Sequence, residues 1–217
     1  MTAPIHIGFL IYPDVTQLDA AGPAQVLSRV PGAIIHMVWK TLDPVETDAG
    51  FSILPTGTFD SCPDLDVVCI PGGMGQMALM GDGEVLDFLK RQGGQARYIT
   101  SVCSGSLLWG ATGLLKGYKS ACHWAFREML PRFGAEPVAE RVVRDRNRIS
   151  GGGVTAGIDF GLTLAAELAG EDVARKIQLL IEYDPKPPFD AGSPEKAGPE
   201  LAAKVRAEFA SAAPAQT

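Results

Sequence analysis

Residues 98–107 read Tyr-Ile-Thr-Ser-Val-Cys-Ser-Gly-Ser-Leu, an apolar strand that runs through a cysteine into a short, glycine-containing turn. Residues 106–112 then have the composition of a helix, which ends before Gly113. A nucleophile on such a strand-to-helix turn sits at the end of its strand, and small neighbours leave room for a substrate. The stretch therefore predicts an α/β fold with Cys103 on a nucleophile elbow.

Strands and helices alternate on both sides of this elbow. Apolar runs that end in Pro or Gly read as buried strands, and periodic segments that end in Gly read as helices. This alternation predicts a doubly wound, mostly parallel sheet with helices on both faces and with its chemistry at the carboxyl ends of the strands. The predicted strands are 5–11, 34–39, 65–70, 98–102, 137–144 and 148–150, with a hairpin at 45–54, and the predicted helices are 22–29, 83–92, 106–112, 123–133, 155–168, 172–182 and 199–210.

Length and composition predict one domain over residues 1–217, with a Pro-rich C-terminal extension from about residue 184 and a frayed tail at 213–217. A net charge of −6 with no basic cluster argues against nucleic acid or an anionic membrane as partner. No apolar stretch reaches the roughly 18 residues of a membrane span. The start lacks the basic region of a signal peptide. We therefore expect a cytoplasmic protein.

Four cysteines are present, and their spacing fits neither a CxxC pair nor a metal site. Cys103 is the candidate nucleophile, because amides and the dipole at the start of the following helix are expected to lower its thiol pKa. The alternative is a small, buried core cysteine, which is how we interpret Cys69. No metal and no organic cofactor are expected.

Several residues are candidates to assist Cys103. Asp19 follows the first strand and either caps the next helix or, if the first strand lies beside that of Cys103, reaches the thiol as an acid–base group. His123 is a rival base, although a histidine beside Trp124 at a helix start is more often structural. The amides of Gly73 and Ser104 are candidate oxyanion donors, and Val154 or Thr155 is expected to line the pocket.

Asp19, Pro71-Gly72-Gly73, the Cys103 elbow and the glycine-rich turn at 151–157 together resemble the ThiJ/PfpI superfamily, and within it the isocyanide hydratases. The protease-like members have a histidine after the cysteine, where this chain has Ser104. The resemblance runs from the first strand to about Pro194. It implies a flavodoxin-like sheet and a homodimer. The stretches that carry it are 17–19, 69–73, 100–106, 140–144, 151–160 and 187–194.

The resemblance also implies a reaction, the hydration of an isocyanide by water to an N-substituted formamide without a cofactor. Cys103 is then expected to attack as a thiolate, and Asp19 to supply a proton as a thioimidate forms. Gly73 and Ser104 are expected to stabilise the developing charge. Two other interpretations stay open. One is a glyoxalase- or amidase-like thiol enzyme that uses His123, and the other is a non-enzymatic redox sensor in which Cys103 is oxidised.

Overall fold

The computed structural model describes residues 3–212, and the chain divides into two compact units with the boundary between Ile181 and Glu182. The predicted fraying of residues 213–217 lies outside the described residues. The single-domain assignment for residues 1–217 stays a prediction. Within the described part of the chain, no helix is long and apolar enough to cross a membrane.

The first unit is built on a seven-stranded sheet. The unit contains the strands β1 (Ile5–Leu10), β2 (Ala33–Trp39), β3 (Val45–Glu46), β4 (Ser52–Ile53), β5 (Gly57–Thr58), β6 (Val67–Ile70), β7 (Tyr98–Val102), β8 (Lys119–Ser120), β9 (Glu136–Pro137), β10 (Val142–Asp145) and β11 (Arg148–Gly151). The order is β10-β11-β7-β6-β1-β2-β5, and all neighbours are parallel except β10 and β11. The strands β3 and β4 form the predicted hairpin, and β8 pairs with β9.

Helices cover both faces of this sheet. They are α1 (Gln17–Leu27), α2 (Gln76–Leu79), α3 (Gly83–Gln95), α4 (Gly105–Thr112), α5 (Ala156–Ala169) and α6 (Glu171–Leu180), with a 3-10 helix at Arg127–Phe133. Side chains of α1, α5 and α6 share one apolar cluster with Ile7 and Phe9 of β1, whereas α3 and α4 share the other with Leu10. Because successive strand residues point to opposite faces, the two clusters lie on opposite sides of the sheet. The predicted doubly wound, flavodoxin-like α/β fold is confirmed.

The first helix differs from its prediction in a way that matters for the site. It was expected to start at Gly22, but α1 starts at Gln17 and contains Pro23. Proline lacks an N–H group, so residue 23 gives no helical hydrogen bond to the carbonyl of Asp19. The helix is held by packing against α5, where added methyl groups at Gly157 and Gly161 would lie 3.0 Å from Pro23 and Val26. Asp19 is therefore in the first turn of α1 rather than ahead of it.

The second unit, from Glu182 onwards, contains α7 (Pro194–Ala197) and α8 (Pro199–Ala212). Ser193 caps α7 by accepting a hydrogen bond from the Lys196 N–H. The side chain of Lys196 also pairs with Asp190 at 2.7 Å. Phe189, in the preceding Pro-rich segment, is 80% exposed.

Candidate active site

The elbow forms where β7 ends and α4 begins. Cys103 has a φ of 59°, in the left-handed region that a non-glycine residue adopts only at a cost. Two backbone hydrogen bonds hold it there: its N–H donates to the Gly151 carbonyl at 3.0 Å, and its carbonyl accepts from the His123 N–H at 3.2 Å. A Cβ at Gly105 would overlap the Ile70 carbonyl oxygen, so only glycine lets α4 start this close to β6.

Asp19 lies in the same buried space, with no exposed surface. Its Oδ2 accepts a hydrogen bond from the Gly72 N–H at 2.8 Å. Strand β6 separates β1 from β7, so the condition that the first strand lies beside that of Cys103 is not met. Asp19 approaches the elbow because α1 carries it over the end of β6. Gly72 fits between Asp19 and Ser104 because it has no side chain. A Cβ at this position would be 2.9 Å from Asp19 Oδ2 and 2.7 Å from Ser104 Oγ.

Burial dominates the electrostatics of this pair. It raises the pKa of Asp19 from 3.8 to about 7, against the lowering effect of hydrogen bonds from Gly72 and the Cys103 thiol, and Asp48 raises it further. The Cys103 pKa is raised well above its usual value, first by burial and then by Asp19 and Cys122. Hydrogen bonds from Ser104 lower that pKa, but they do not overcome burial.

The expected lowering of the Cys103 pKa by the start of α4 is therefore wrong. The amide effect exists, but desolvation of a buried thiolate and the charge of Asp19 outweigh it. Both pKa values are raised, so having both groups ionised at once is costly, and the pair keeps one proton between its two groups more readily than it loses both.

Ser104 and Gly73 form a small network beside the sulfur. Ser104 is buried, and both its N–H and its hydroxyl approach Cys103 as donors. The same hydroxyl oxygen accepts from the Gly73 N–H at 3.3 Å. Gly73 has a φ of 131°, and a side chain there would overlap the Asp14 carbonyl. The Gly73 amide thus points towards the elbow through Ser104, and its role as an oxyanion donor stays a prediction.

Val154 and Thr155 lie in the turn between β11 and α5. Val154 is partly buried and packs against the apolar cluster that contains Cys103. Thr155 is exposed, and its carbonyl accepts from Arg141 at 3.0 Å. Arg141 also pairs with Asp159 at 2.6 Å, so the turn is fastened to the start of β10. Of the two predicted pocket residues, Val154 is the one that packs against the apolar cluster to which the nucleophile belongs.

His123 contacts the elbow through its backbone, which donates to the Cys103 carbonyl. Its Nδ1 accepts from the Ala125 N–H at 3.3 Å, and its ring is tilted against Trp124 at 5.6 Å between centroids. Burial lowers the pKa of His123, which favours the neutral ring. The Nδ1 atom of His123 is thus held by the backbone of its own turn.

The remaining cysteines are free thiols, as expected. Cys69 is buried in β6, where its pKa rises to about 12, and Cys122 is buried with a pKa of about 11, both mainly because of desolvation. Cys62 is only partly buried. Among residues 3–212, no three His, Cys, Asp or Glu side chains are arranged to bind a metal ion.

Tyr12 is a site residue that the sequence reasoning missed. It is fully buried, and its hydroxyl donates to the Pro71 carbonyl at 2.7 Å, which steadies the turn that holds Gly72. Burial, followed by the charges of Asp19 and Cys103, raises its pKa well above the usual value, so it remains a donor. Its position two residues beyond the end of β1, at a carboxyl end of the sheet, was the available signal.

One oxygen of Asp19 remains available to a ligand. Oδ2 is bonded to Gly72, whereas Oδ1 is buried and has no hydrogen-bond partner among the described residues. Buried polar atoms in native proteins are nearly always paired, so an unpaired oxygen beside a nucleophile is suited to a substrate or a water molecule. The arrangement can deliver a proton next to a sulfur nucleophile in a space that excludes bulk water.

Comparison with known proteins places this geometry in a family. The model of the DJ-1/PfpI family matches residues 6–167. The chain is 55% identical over 193 residues to the isonitrile hydratase of Pseudomonas putida, covering 89% of this chain and 85% of that protein. It superposes on a ThiJ/PfpI family protein from Pseudomonas syringae with a TM-score of 0.94 and 50% identity, covering 97% of this chain and 88% of the other.

Drosophila melanogaster DJ-1beta shares the fold at a greater distance, with a TM-score of 0.76 and 22% identity over 84% of this chain and all of the other. The match of the family model, the sequence identity and the cysteine elbow agree. The chain belongs to the DJ-1/PfpI family.

Proposed function

We propose that this protein hydrates isocyanides to N-substituted formamides, with Cys103 as nucleophile and Asp19 as the group that moves protons. The observation that carries the proposal is the 55% identity to an isonitrile hydratase over most of both chains. The buried Asp19–Cys103 pair supports it, because the reaction needs a nucleophile and a proton at the same carbon atom.

In the first step the Cys103 sulfur attacks the terminal carbon of R–N≡C and forms a C–S bond. The single proton of the Asp19–Cys103 pair goes to that same carbon, which gives the thioimidate R–N=CH–S and leaves Asp19 as a carboxylate. The Gly72 N–H favours this step, because it donates a hydrogen bond to the carboxylate that carries the negative charge in the product.

In the second step water adds to the thioimidate carbon. The hydroxyl group joins carbon and the remaining proton joins nitrogen, with Asp19 as the relay. Collapse of this intermediate breaks the C–S bond, passes the hydroxyl proton to Asp19 and releases R–NH–CHO. The pair regains one proton, so the cycle closes without a metal or an organic cofactor. Amides of Ser104 and Gly73 are proposed to stabilise charge on the intermediate.

The test mixes the purified protein with cyclohexyl isocyanide and follows formamide by NMR. Wild type and Cys62→Ala, a thiol outside the site, are expected to turn over, whereas Cys103→Ala is expected to be inactive. A near-normal rate for Cys103→Ala would exclude the covalent mechanism. If no protein made formamide, the aldehyde-directed thiol enzyme or the redox sensor would replace the hydratase proposal.

We also propose that the enzyme is a homodimer in the cytoplasm. Support for the dimer comes from large apolar side chains at the end of α6, where Leu179 is 83% and Leu180 is 58% exposed. Support for the location comes from four cysteines that are all free, as is usual in a reducing compartment.

A further inference from the structure

The N-cap residue of α1 does not cap its own helix. Threonine at this position usually accepts a hydrogen bond from the first turn. Thr16 makes no such bond, and its hydroxyl instead donates to Asp48 Oδ2 at 2.6 Å. Asp48 lies in the turn of the β3–β4 hairpin, far from α1 in sequence. The hydroxyl is therefore used to join the hairpin to the start of the helix that carries Asp19.

Backbone contacts fix the hairpin at the same place. The Asp48 N–H donates to the Val15 carbonyl at 3.1 Å, and the Asp14 N–H donates to the Glu46 carbonyl at 3.0 Å. Val15 also forms a parallel bridge with Thr47. Asp48 is exposed, yet its backbone is tied to the segment that leads into α1, so its carboxylate has a defined position relative to Thr16.

A short series of hydrogen bonds then leads to the proposed proton donor. The Thr16 N–H donates to the Gly72 carbonyl at 2.9 Å, and the Gly72 N–H donates to Asp19 Oδ2 at 2.8 Å. The Asp19 N–H returns to the Thr16 carbonyl at 3.0 Å. Thr16 thus contacts both the turn that binds the Asp19 carboxyl and the backbone of Asp19 itself.

Titratable groups from several surrounding elements interact with the Asp19 carboxyl. Tyr12 after β1, Cys69 in β6 and Cys103 at the elbow are all buried. Asp48 in the hairpin is the exposed carboxyl of the set, and its charge acts on Asp19 and on Tyr12 from outside the pocket. A negative charge at that point opposes a second negative charge on Asp19.

We propose that Asp48 is a positioning residue for Asp19: through its hydrogen bond with the Thr16 hydroxyl, it fixes the Asp19 carboxyl against Gly72. Because the same contact fixes the Asp48 carboxylate, its charge is expected to act on Asp19 from a defined position. The inference deepens the proposed function, because it concerns the proton that Asp19 delivers. Its first test needs no turnover, so its failure is distinguishable from failure of the hydratase proposal.

The first test is a carbon-13 NMR titration of Asp19 in the full chain, with the resonance assigned by Asp19→Asn. Asp48→Asn removes the charge but leaves an oxygen to accept the Thr16 hydroxyl. We expect the Asp19 midpoint to fall by roughly 0.3 pH unit at low ionic strength and by less in about 0.5 M salt, because salt screens an exposed charge. Asp43→Asn, which removes an equal charge from an exposed loop residue bonded to Thr41, is the control and is expected to leave the midpoint unchanged.

An unchanged midpoint in Asp48→Asn, or an equal shift in Asp43→Asn, would overturn the electrostatic part. The positioning part is tested by Thr16→Val, which removes the hydroxyl at nearly constant shape. We expect kcat for isocyanide hydration to fall about tenfold with KM little changed, the effect of losing one charge-assisted hydrogen bond, and Thr16→Ser to restore it. A Thr16→Val enzyme with wild-type kcat, or a Thr16→Ser enzyme as slow as Thr16→Val, would contradict it.

Discussion

Asp19 is a carboxyl group placed where its charged form is costly. It has no exposed surface, and among residues 3–212 its side chain accepts hydrogen bonds from one backbone N–H and from the Cys103 thiol. Folded proteins keep such groups when a function needs a proton at neutral pH. Burial of Asp19 therefore lowers the stability of the fold at neutral pH, and it gives the site a carboxyl with a pKa of about 7.

The burial of this carboxyl predicts that the effect of Asp19→Asn on stability depends on pH. The pKa of Asp19 rises from 3.8 to about 7 on folding, so the unfolded chain loses this proton first as pH rises. The free energy of unfolding therefore falls as the pH rises from 4 to 7, by at most about 4 kcal/mol. Asparagine keeps an acceptor for Gly72 and cannot ionise, so the variant is expected to be more stable than wild type at pH 8 and nearly equal to it at pH 4.

Urea unfolding at the two pH values measures this difference. Asp60→Asn, a change at an exposed carboxyl, serves as the control and is expected to have little effect at either pH. A stability gain for Asp19→Asn that was the same at pH 4 and pH 8 would show that charge burial is not its cause.

At the scale of the elements, the elbow depends on how closely α4 approaches β6. Gly105 is the first residue of α4 and lies against the backbone carbonyls of Ile70 and Pro71. These carbonyls belong to the strand and turn that position Gly72. A side chain at residue 105 is therefore expected to push the start of α4, and Cys103 with it, away from the turn that holds Gly72 and the Asp19 carboxyl.

Gly105→Ala is therefore expected to destabilise the fold by about 2–4 kcal/mol and to abolish hydration. Gly94→Ala is the matched control, because residue 94 is also a helical glycine but has nothing within 4 Å of an added Cβ. The control is expected to keep activity and gain about 0.5 kcal/mol or more, since alanine is the better helix former. Denaturant midpoints and formamide rates measure both, and a Gly105→Ala protein as stable as wild type would exclude the close-packing account.

At the scale of the whole molecule, the proposed homodimer has a direct measurement. Light scattering coupled to size exclusion is expected to give a mass near twice the 22.9 kDa of one chain. The physical reason is the exposed leucine pair at the end of α6, which a partner would cover. A mass of one chain at both low and high protein concentration would rule the dimer out.

Local patterns identified most of the elements. The apolar run at residues 98–102 became β7 with the predicted bounds, and the strand at Arg148–Gly151 and the helices α5, α6 and α8 lie within two residues of theirs. Errors arose where packing overrides local preference. Helix α1 continues through Pro23, and α3 continues through Gly93 because Trp109 packs directly against it, whereas residues 123–126 are not helical and a 3-10 helix starts at Arg127.

The sequence by itself determined the alternation of strands and helices and the place of Cys103 between β7 and α4, because both depend on residues close together in the chain. Tertiary structure alone decided that Asp19 bonds Gly72 across 53 residues, and that Thr16 turns to Asp48. It also decided the direction in which the pKa of the Cys103 thiol is shifted. Desolvation depends on everything that surrounds the sulfur, and that surrounding is assembled only when distant segments pack together.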